Sequence, residues 1–274
     1  TATGSLVYTN VTEHVKIGDA PADFQRLAPS FTVSLQPWQE QLLFLRLMYK
    51  STFRMPTFND LYYYRLGNRS LRPEKANEYN MGITWSRSFS SFLNYLSVTV
   101  DGYYNDVTDK IVAFPTTYAW KMANYGKVHV TGMDATLAAA ASLGKNMVLV
   151  VSGGYTWQKA IDLTDATSKS YKDQLPYTPK HSGNVSAVLE MPWVNVGYSI
   201  VGVSERYSMS QNIPENRIDG YMEHTASLSR NFSFRHCKLR LQAEIINMTD
   251  TQYDVIKYYP MPGRSWRLTG TIEF

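Results

Sequence analysis

Between residues 57 and 72 the chain sets three phenols and two guanidiniums close together: Tyr62, Tyr63, Tyr64, Arg65 and Arg69, with the amide of Asn68 among them. A phenol is a rigid apolar plate with one polar handle. The grouping therefore suits recognition of a bulky amphipathic solute rather than bond making. Arg54 stands at the start of this stretch, facing the same loop. Trp120 with Lys121, and Tyr207, Met209 and Asn212 further on, repeat the chemistry and are expected to line the same vestibule. The alternative for these aromatics is to pack the loops against one another.

No reaction centre assembles from the remaining residues. His14, His129, His181, His224 and His236 are scattered, and read as wall or surface residues. Ser152-Gly153-Gly154 lacks the G-x-S-x-G context of a nucleophile elbow. Asp106, Asp109 and Asp134 are not framed by a twelve-residue calcium loop. Cys237 is the lone cysteine, which excludes an internal disulfide and a thiolate zinc cluster. No catalytic residue, metal or cofactor is expected, and the chain reads as a binder or conduit rather than an enzyme.

The elements that must position these residues are strands. In 264–274, Trp266, Leu268, Gly270, Ile272 and Phe274 share one face, opposite Arg267, Thr269, Thr271 and Glu273. In 236–248, Leu239, Leu241, Ala243 and Ile245 oppose Lys238, Arg240, Gln242 and Glu244. The same period predicts twelve strands, at 2–9, 29–38, 42–52, 76–88, 95–106, 127–142, 146–158, 180–191, 193–205, 218–231, 236–248 and 264–274. Most are 9–15 residues long, against roughly 5–6 for an average soluble strand and about 9–11 for a tilted strand crossing a bilayer. Connections alternate long and short: 10–28, 53–75, 107–126, 159–179, 206–217 and 249–263 against tight turns near 39–41, 89–94, 143–145, 192 and 232–235. Pro262–Gly263 reads as a tight turn launching the last strand.

This asymmetry, and the excess of 20 Tyr, 11 Phe and 6 Trp in 274 residues, point to an all-β transmembrane antiparallel barrel. Trp38, Trp85, Trp193 and Trp266 fall near strand ends and suit interfacial girdles. A soluble sandwich or propeller shares the alternation, but no 40–50-residue repeat supports a propeller. The net charge of +4 is modest and contains no Lys/Arg block, so nucleic acid is not an expected partner. No apolar run approaches the ~20 residues of a membrane helix. The first residues, TATGSLVYTN, lack the features of a signal peptide.

FRMPTFNDLYYYRLGNRSLRPEK (53–75) followed by ANEYNMGITW resembles TonB-dependent outer-membrane transporters, where FRxPTxxEL precedes N-x-x-L-x-P-E and a strand. YYNDVTDKIVAF (103–114) and NYGKVHVTGMDATL (124–137), similar to N-x-G-x-x-x-x-G-x-(E/D), continue the likeness. NMTDTQYDVIKYYPMPGRSWRLTGTIEF (247–274) is similar to the family's last outer loop and terminal aromatic strand. The FRMPTFNDLYY stretch resembles Bacteroidetes-type vitamin B12 and siderophore transporters in particular.

The resemblance implies that residues 1–274 are the C-terminal portion of a barrel domain, strands 11–22 of 22. A plug, ten further strands and a TonB box would lie elsewhere. It implies uptake energised by the TonB–ExbB–ExbD complex, with cobalamin as first solute and a ferric siderophore second. A surface lipoprotein, lipid and lipopolysaccharide are the further implied partners. The C-terminus would be periplasmic, with Phe274 read by the assembly machinery. No His lies between Phe53 and Leu71, which speaks against haem. The rival reading is an autonomous twelve-stranded porin or barrel enzyme.

Overall fold

The computed structural model describes every residue except 13, 15, 17–22, 39–41, 116–119, 145 and 236, and the side chains of 114 and 115. The expected turn at 39–41 and His236 lie outside the described residues. Twelve strands form one antiparallel sheet in strict chain order. They are β1 (Ala2–Val11), β2 (Phe24–Leu35), β3 (Leu42–Arg54), β4 (Glu74–Ser88), β5 (Leu93–Pro115) and β6 (Trp120–Gly144), followed by β7 (Met147–Asp162), β8 (His181–Glu190), β9 (Asn195–Val203), β10 (Tyr221–Ser233), β11 (Lys238–Ile246) and β12 (Ser265–Glu273). Short turns join every second pair of strands, and the connections between them are long except at β5–β6, whose strands themselves extend until four residues separate them. We call the two ends the turn side and the loop side.

Register sorts the residues cleanly between the two faces. Leu45, Ile83, Val100, Ala135 and Tyr155 lie in one direct cross-strand row, which continues through Gly183 and Gly202 to Met222. Leu268, Ala243 and Leu228 lie in another on the same face. The opposite face is polar and bonds to itself. Arg46 pairs with Asp101 at 3.1 Å, Thr84 with Thr99 at 3.0 Å, Ser86 with Ser97 at 2.8 Å, and Thr156 donates to Asp134 at 2.6 Å. Glu244, Arg267, Arg240 and Gln242 belong to this polar face, as charge alone indicates.

Aromatics border the apolar face at both sides. Trp38, Phe92, Trp193, Phe234 and Phe274 stand exposed at the turn side. Tyr8, Tyr49, Tyr79, Tyr104, Tyr155, Tyr198 and Trp266 form a second belt nearer the loops. Followed through the cross-strand rows, that belt drops by about one residue per strand from β1 to β12. With about 3.3 Å per residue and 4.8 Å between strands, a level belt requires strands tilted by about 37°, inside the range for membrane barrels. Along β12, Trp266 to Phe274 then spans about 21 Å, close to the apolar band of such a wall.

Burial concentrates at the loop side. Val128 is fully buried, with Ala76, Val107, Val130, Ala160 and Leu175 around it and Tyr103 and Tyr125 packed alongside. Leu61, Leu71 and Ile111 make a second cluster with Tyr62 and Met122. Gly132 is fixed by packing: a Cβ there would lie 2.3 Å from the Tyr103 ring.

Two expectations change. β5 and β6 run to 23 and 25 residues, well past the predicted 95–106 and 127–142, and their hairpin rises beyond the apolar face. The turn before β12 is not at Pro262–Gly263 but at Lys257–Tyr258, between Asp254–Ile256 and Tyr259–Pro260. Residues 261–263 instead run on toward β12, and a Cβ on Gly263 would meet the Asp250 carboxylate at 2.6 Å. β1 pairs only with β2, and β12 only with β11, so the sheet is open at both edges, which speaks against the rival reading of an autonomous twelve-stranded barrel.

Candidate functional site

The 55–73 connection is fastened at its root. Thr57 caps the short helix α1 (Phe58–Tyr62), trading hydrogen bonds with Asp60 in a capping box. Arg54 donates to Asp60 at 3.4 Å and to the Ile111 carbonyl at 3.2 Å, and lies 3.6 Å from Glu74. Asn68 donates to the Met122 carbonyl at 3.0 Å and accepts from the Ser70 amide. Leu66 and Met122 also share a backbone bond at 3.1 Å, which draws this loop onto the start of β6 beside Trp120. Of the expected site residues, Arg54, Tyr62 and Asn68 thus hold the loop together.

The tip is different. Tyr63 is 58% exposed and Tyr64 78%. Arg65, at φ 65°, stacks its guanidinium 5.2 Å from the Tyr64 ring, and Arg69 lies 5.3 Å from the Tyr62 ring. These phenols and guanidiniums remain available to a solute.

The next loops interlock behind them. Trp120 faces Tyr177 with ring centres 5.9 Å apart, and the Tyr177 amide donates to the Tyr207 carbonyl at 2.7 Å. Burial pushes the Tyr177 phenol upward, against the pull of the Lys257 backbone and Arg206. Asn212 is fully engaged: it donates to the Gln174 carbonyl and accepts its amide, while its own amide donates to Asp173. Gln174, 3% exposed, serves the backbone of Ala160, Gln158 and Thr178. Leu175 thereby reaches the buried cluster on the polar face of the wall. The 163–180 connection folds inward over the sheet rather than standing above it.

Several important residues were missed by residue type alone. Asn124 bridges the carbonyls of Arg72 and Asp109. Asn247, 1% exposed, donates to Thr251 and Pro262 and accepts from the Thr251 amide. Both belong to the quoted motifs, which was the available signal. Tyr253 stacks on Tyr221 at 3.9 Å and donates to Glu223; burial first, then that carboxylate, pushes its phenol upward. Arg206, 4% exposed, donates from Nη2 to the Asp254 and Val255 carbonyls. Its Nη1 is buried without a hydrogen-bond partner among the described residues. No group of three or more His, Cys, Asp or Glu able to hold a metal occurs among the described residues.

The geometry is that of interlocked loops at one end of a strand wall, with an exposed aromatic and cationic tip. A family model described as TonB dependent receptor-like, beta-barrel matches residues 1–248. The chain belongs to the TonB-dependent receptor β-barrel family. It is 25% identical over 230 residues to vitamin B12 transporter BtuB of Photobacterium profundum, covering 81% of this chain and 34% of that protein. The match to BtuB of Vibrio vulnificus is 26% over 231 residues, covering 81% and 33%. The fold is similar to the siderophore receptor PiuA from Acinetobacter baumannii, with TM-score 0.68 at 18% identity, covering 94% of this chain and 38% of that one. The chain spans about a third of the length of the curated relatives it matches. These relatives are transporters or receptors, and none is an enzyme. They do not single out the Bacteroidetes-type affinity read from FRMPTFNDLYY.

Proposed function

We propose that the whole protein imports a scarce, bulky metal chelate across the outer membrane, driven by the proton motive force through TonB–ExbB–ExbD. The leading solute class is a ferric siderophore. The observation that carries this is the exposed Tyr63–Tyr64–Arg65–Arg69 tip beside Trp120 and Tyr177: phenols supply apolar contact area, and guanidiniums match anionic oxygen ligands. Cobalamin is the second reading, favoured by the two relatives named vitamin B12 transporters.

In this reading residues 1–274 are the C-terminal portion of the barrel, strands 11–22, with the C-terminus periplasmic. The open edges support it, because each unpaired backbone group in hydrocarbon costs several kcal/mol. An N-terminal portion of the same transporter would pair with β1 and β12 and supply the plug. Arg240, Gln242, Glu244 and Arg267 would face plug or water. Solute binds among the loops, TonB pulls on the plug, and a path opens beside the wall. A surface lipoprotein is a further candidate partner over the loops.

The test is growth of the native cell after deletion of the gene, with and without TonB. Loss of growth on ferric siderophore as sole iron source supports the leading reading. Loss of cobalamin-dependent growth instead favours the second. Uptake that survives removal of TonB sinks coupled import altogether.

A further inference from the structure

The 249–263 connection carries a second exposed aromatic tip. Tyr258 is 82% exposed and Tyr259 70%, although the backbone beneath them is pinned on both sides. Arg206 donates to the Asp254 and Val255 carbonyls at 2.6 and 2.9 Å. The Asp254 carboxylate accepts the Tyr258 amide at 2.9 Å, and the Met261 amide closes the hairpin onto the Tyr253 carbonyl at 2.9 Å. Tyr258 is held at φ 70°, a left-handed conformation that a bulky residue keeps only with such support. Rings on a fixed mount lose little freedom when they bind.

The hairpin leans over the polar face of the wall. Tyr253 stacks on Tyr221 and donates to Glu223, the two neighbours of the outward Met222. The Tyr177 phenol takes a hydrogen bond from the Lys257 backbone, and its ring lies 5.9 Å from that of Trp120. Two residues past Trp120, the Met122 amide donates to the Leu66 carbonyl, next to Arg65. The Trp120–Tyr177 pair therefore joins the two tips, with Tyr63 and Tyr64 at one end and Tyr258 and Tyr259 at the other.

The tips differ in charge. Arg65 and Arg69 are exposed and make no ion pair among the described residues, whereas Arg54 and Arg72 beside them do. Lys257 lies 5.4 Å from the Tyr258 ring and donates to the Glu215 carbonyl, with the Asp254 carboxylate in the same hairpin to offset its charge. One tip thus offers rings with positive charge, and the other rings alone. A neutral chelate of aliphatic ligands would use neither. An anionic chelate whose ligand groups are themselves aromatic rings would use both.

We propose that Tyr258 and Tyr259 are the second jaw of the solute site, closing with Tyr63 and Tyr64 on an anionic ferric chelate of aryl-oxygen ligands. This rests on the loops being the solute site of an importer, and adds to that reading a second contact surface and a ligand class. The guanidiniums of Arg65 and Arg69 meet the anionic oxygens, and the second jaw supplies ring area.

The test uses the full-length protein in detergent, with a ferric tris-catecholate, a neutral ferric tris-hydroxamate and cyanocobalamin as probes. Equilibrium dialysis is read beside thermal unfolding. The wild type should bind the tris-catecholate most tightly. Tyr258→Ala/Tyr259→Ala should weaken that binding about tenfold at an unchanged melting temperature, and Tyr258→Phe/Tyr259→Phe should retain most of it. Tyr8→Ala, on the outward belt, should change no affinity. Undiminished binding by the double alanine variant overturns the jaw. So does a loss that comes with a lower melting temperature and is not rescued by the phenylalanine pair. Preference for the hydroxamate or cobalamin, or failure to bind any probe, overturns the proposal and leaves coupled import standing. Unimpaired uptake in the deletion strain removes the import reading and the site with it.

Discussion

At the root of the 247–264 connection, Asn247 is 1% exposed and spends its amide on Thr251 and Pro262. At the tip of the 57–72 loop, Tyr64 is 78% exposed, with the guanidinium of Arg65 against its ring. Both are polar-capable residues on the same side of the wall. The difference follows from water. A buried amide that loses solvent must find partners, and the free carbonyls of an irregular loop are the nearest supply. A phenol at a tip loses nothing by staying wet, so it remains free to bind. The motif residues that tie this chain to its family are mostly hydrogen-bonded within it: Arg54, Asn68, Asn124 and Asn247 brace the loops.

The largest test of this contrast is Asn247→Ala. It strands two carbonyls and one amide in a buried site, and the root should lose about 4 kcal/mol. Trypsin cleavage at Lys257 should accelerate by at least 100-fold; an unchanged rate would mean the loop is held elsewhere. Leu175→Ala removes the apolar peg of the inward-folded 163–180 connection at a cost of about 3 kcal/mol. Hydrogen exchange at the Leu175 amide, which donates to the Ala160 carbonyl, should then approach the rate of an open loop.

At the tip the signs reverse. Tyr64→Ala/Arg65→Ala should leave thermal stability within about 0.5 kcal/mol yet weaken solute binding about tenfold. A large stability loss with intact binding would make the tip another brace. The smallest effect belongs to Asp165, whose carboxylate accepts the Thr167 amide and then its hydroxyl, and is held below the usual Asp range for that reason. A depressed folded value means this turn has its full support above about pH 4, the ordinary Asp value, and loses it as pH falls through the lower folded one. The Thr167 amide resonance should titrate with a midpoint below about 3.9; a midpoint at or above it would show the bond to be unimportant.

The wall was legible because its two faces meet different solvents, which writes a period of two into the chain. Every predicted strand overlaps a real one, and the polar face was assigned correctly from Glu244, Arg267 and their neighbours. The pattern failed where that contrast ends. Past Val107 and before Val128, β5 and β6 leave the apolar face, and Ile111 is buried by a loop rather than by alternation, so the extra length was invisible. In the vestibule, residue type cannot say whether an amide or guanidinium will serve a solute or the protein's own backbone. Asn212 and Asn68 went to the backbone, Arg65 and Arg69 did not, and only the fold around them decides.

Three phenol–imidazole pairs remain on the outward belt: Tyr104 with His129 at 3.2 Å, and Tyr155 with His181 and Tyr198 with His224, each at 2.7 Å. In each, the tyrosine and histidine stand on the two strands of one outer hairpin, 25 or 26 positions apart. Each of these three hairpins carries its own segment of the girdle. A hairpin so tied holds both of its strands at one height against the belt, so a slip in register within it would break the phenol–imidazole bond.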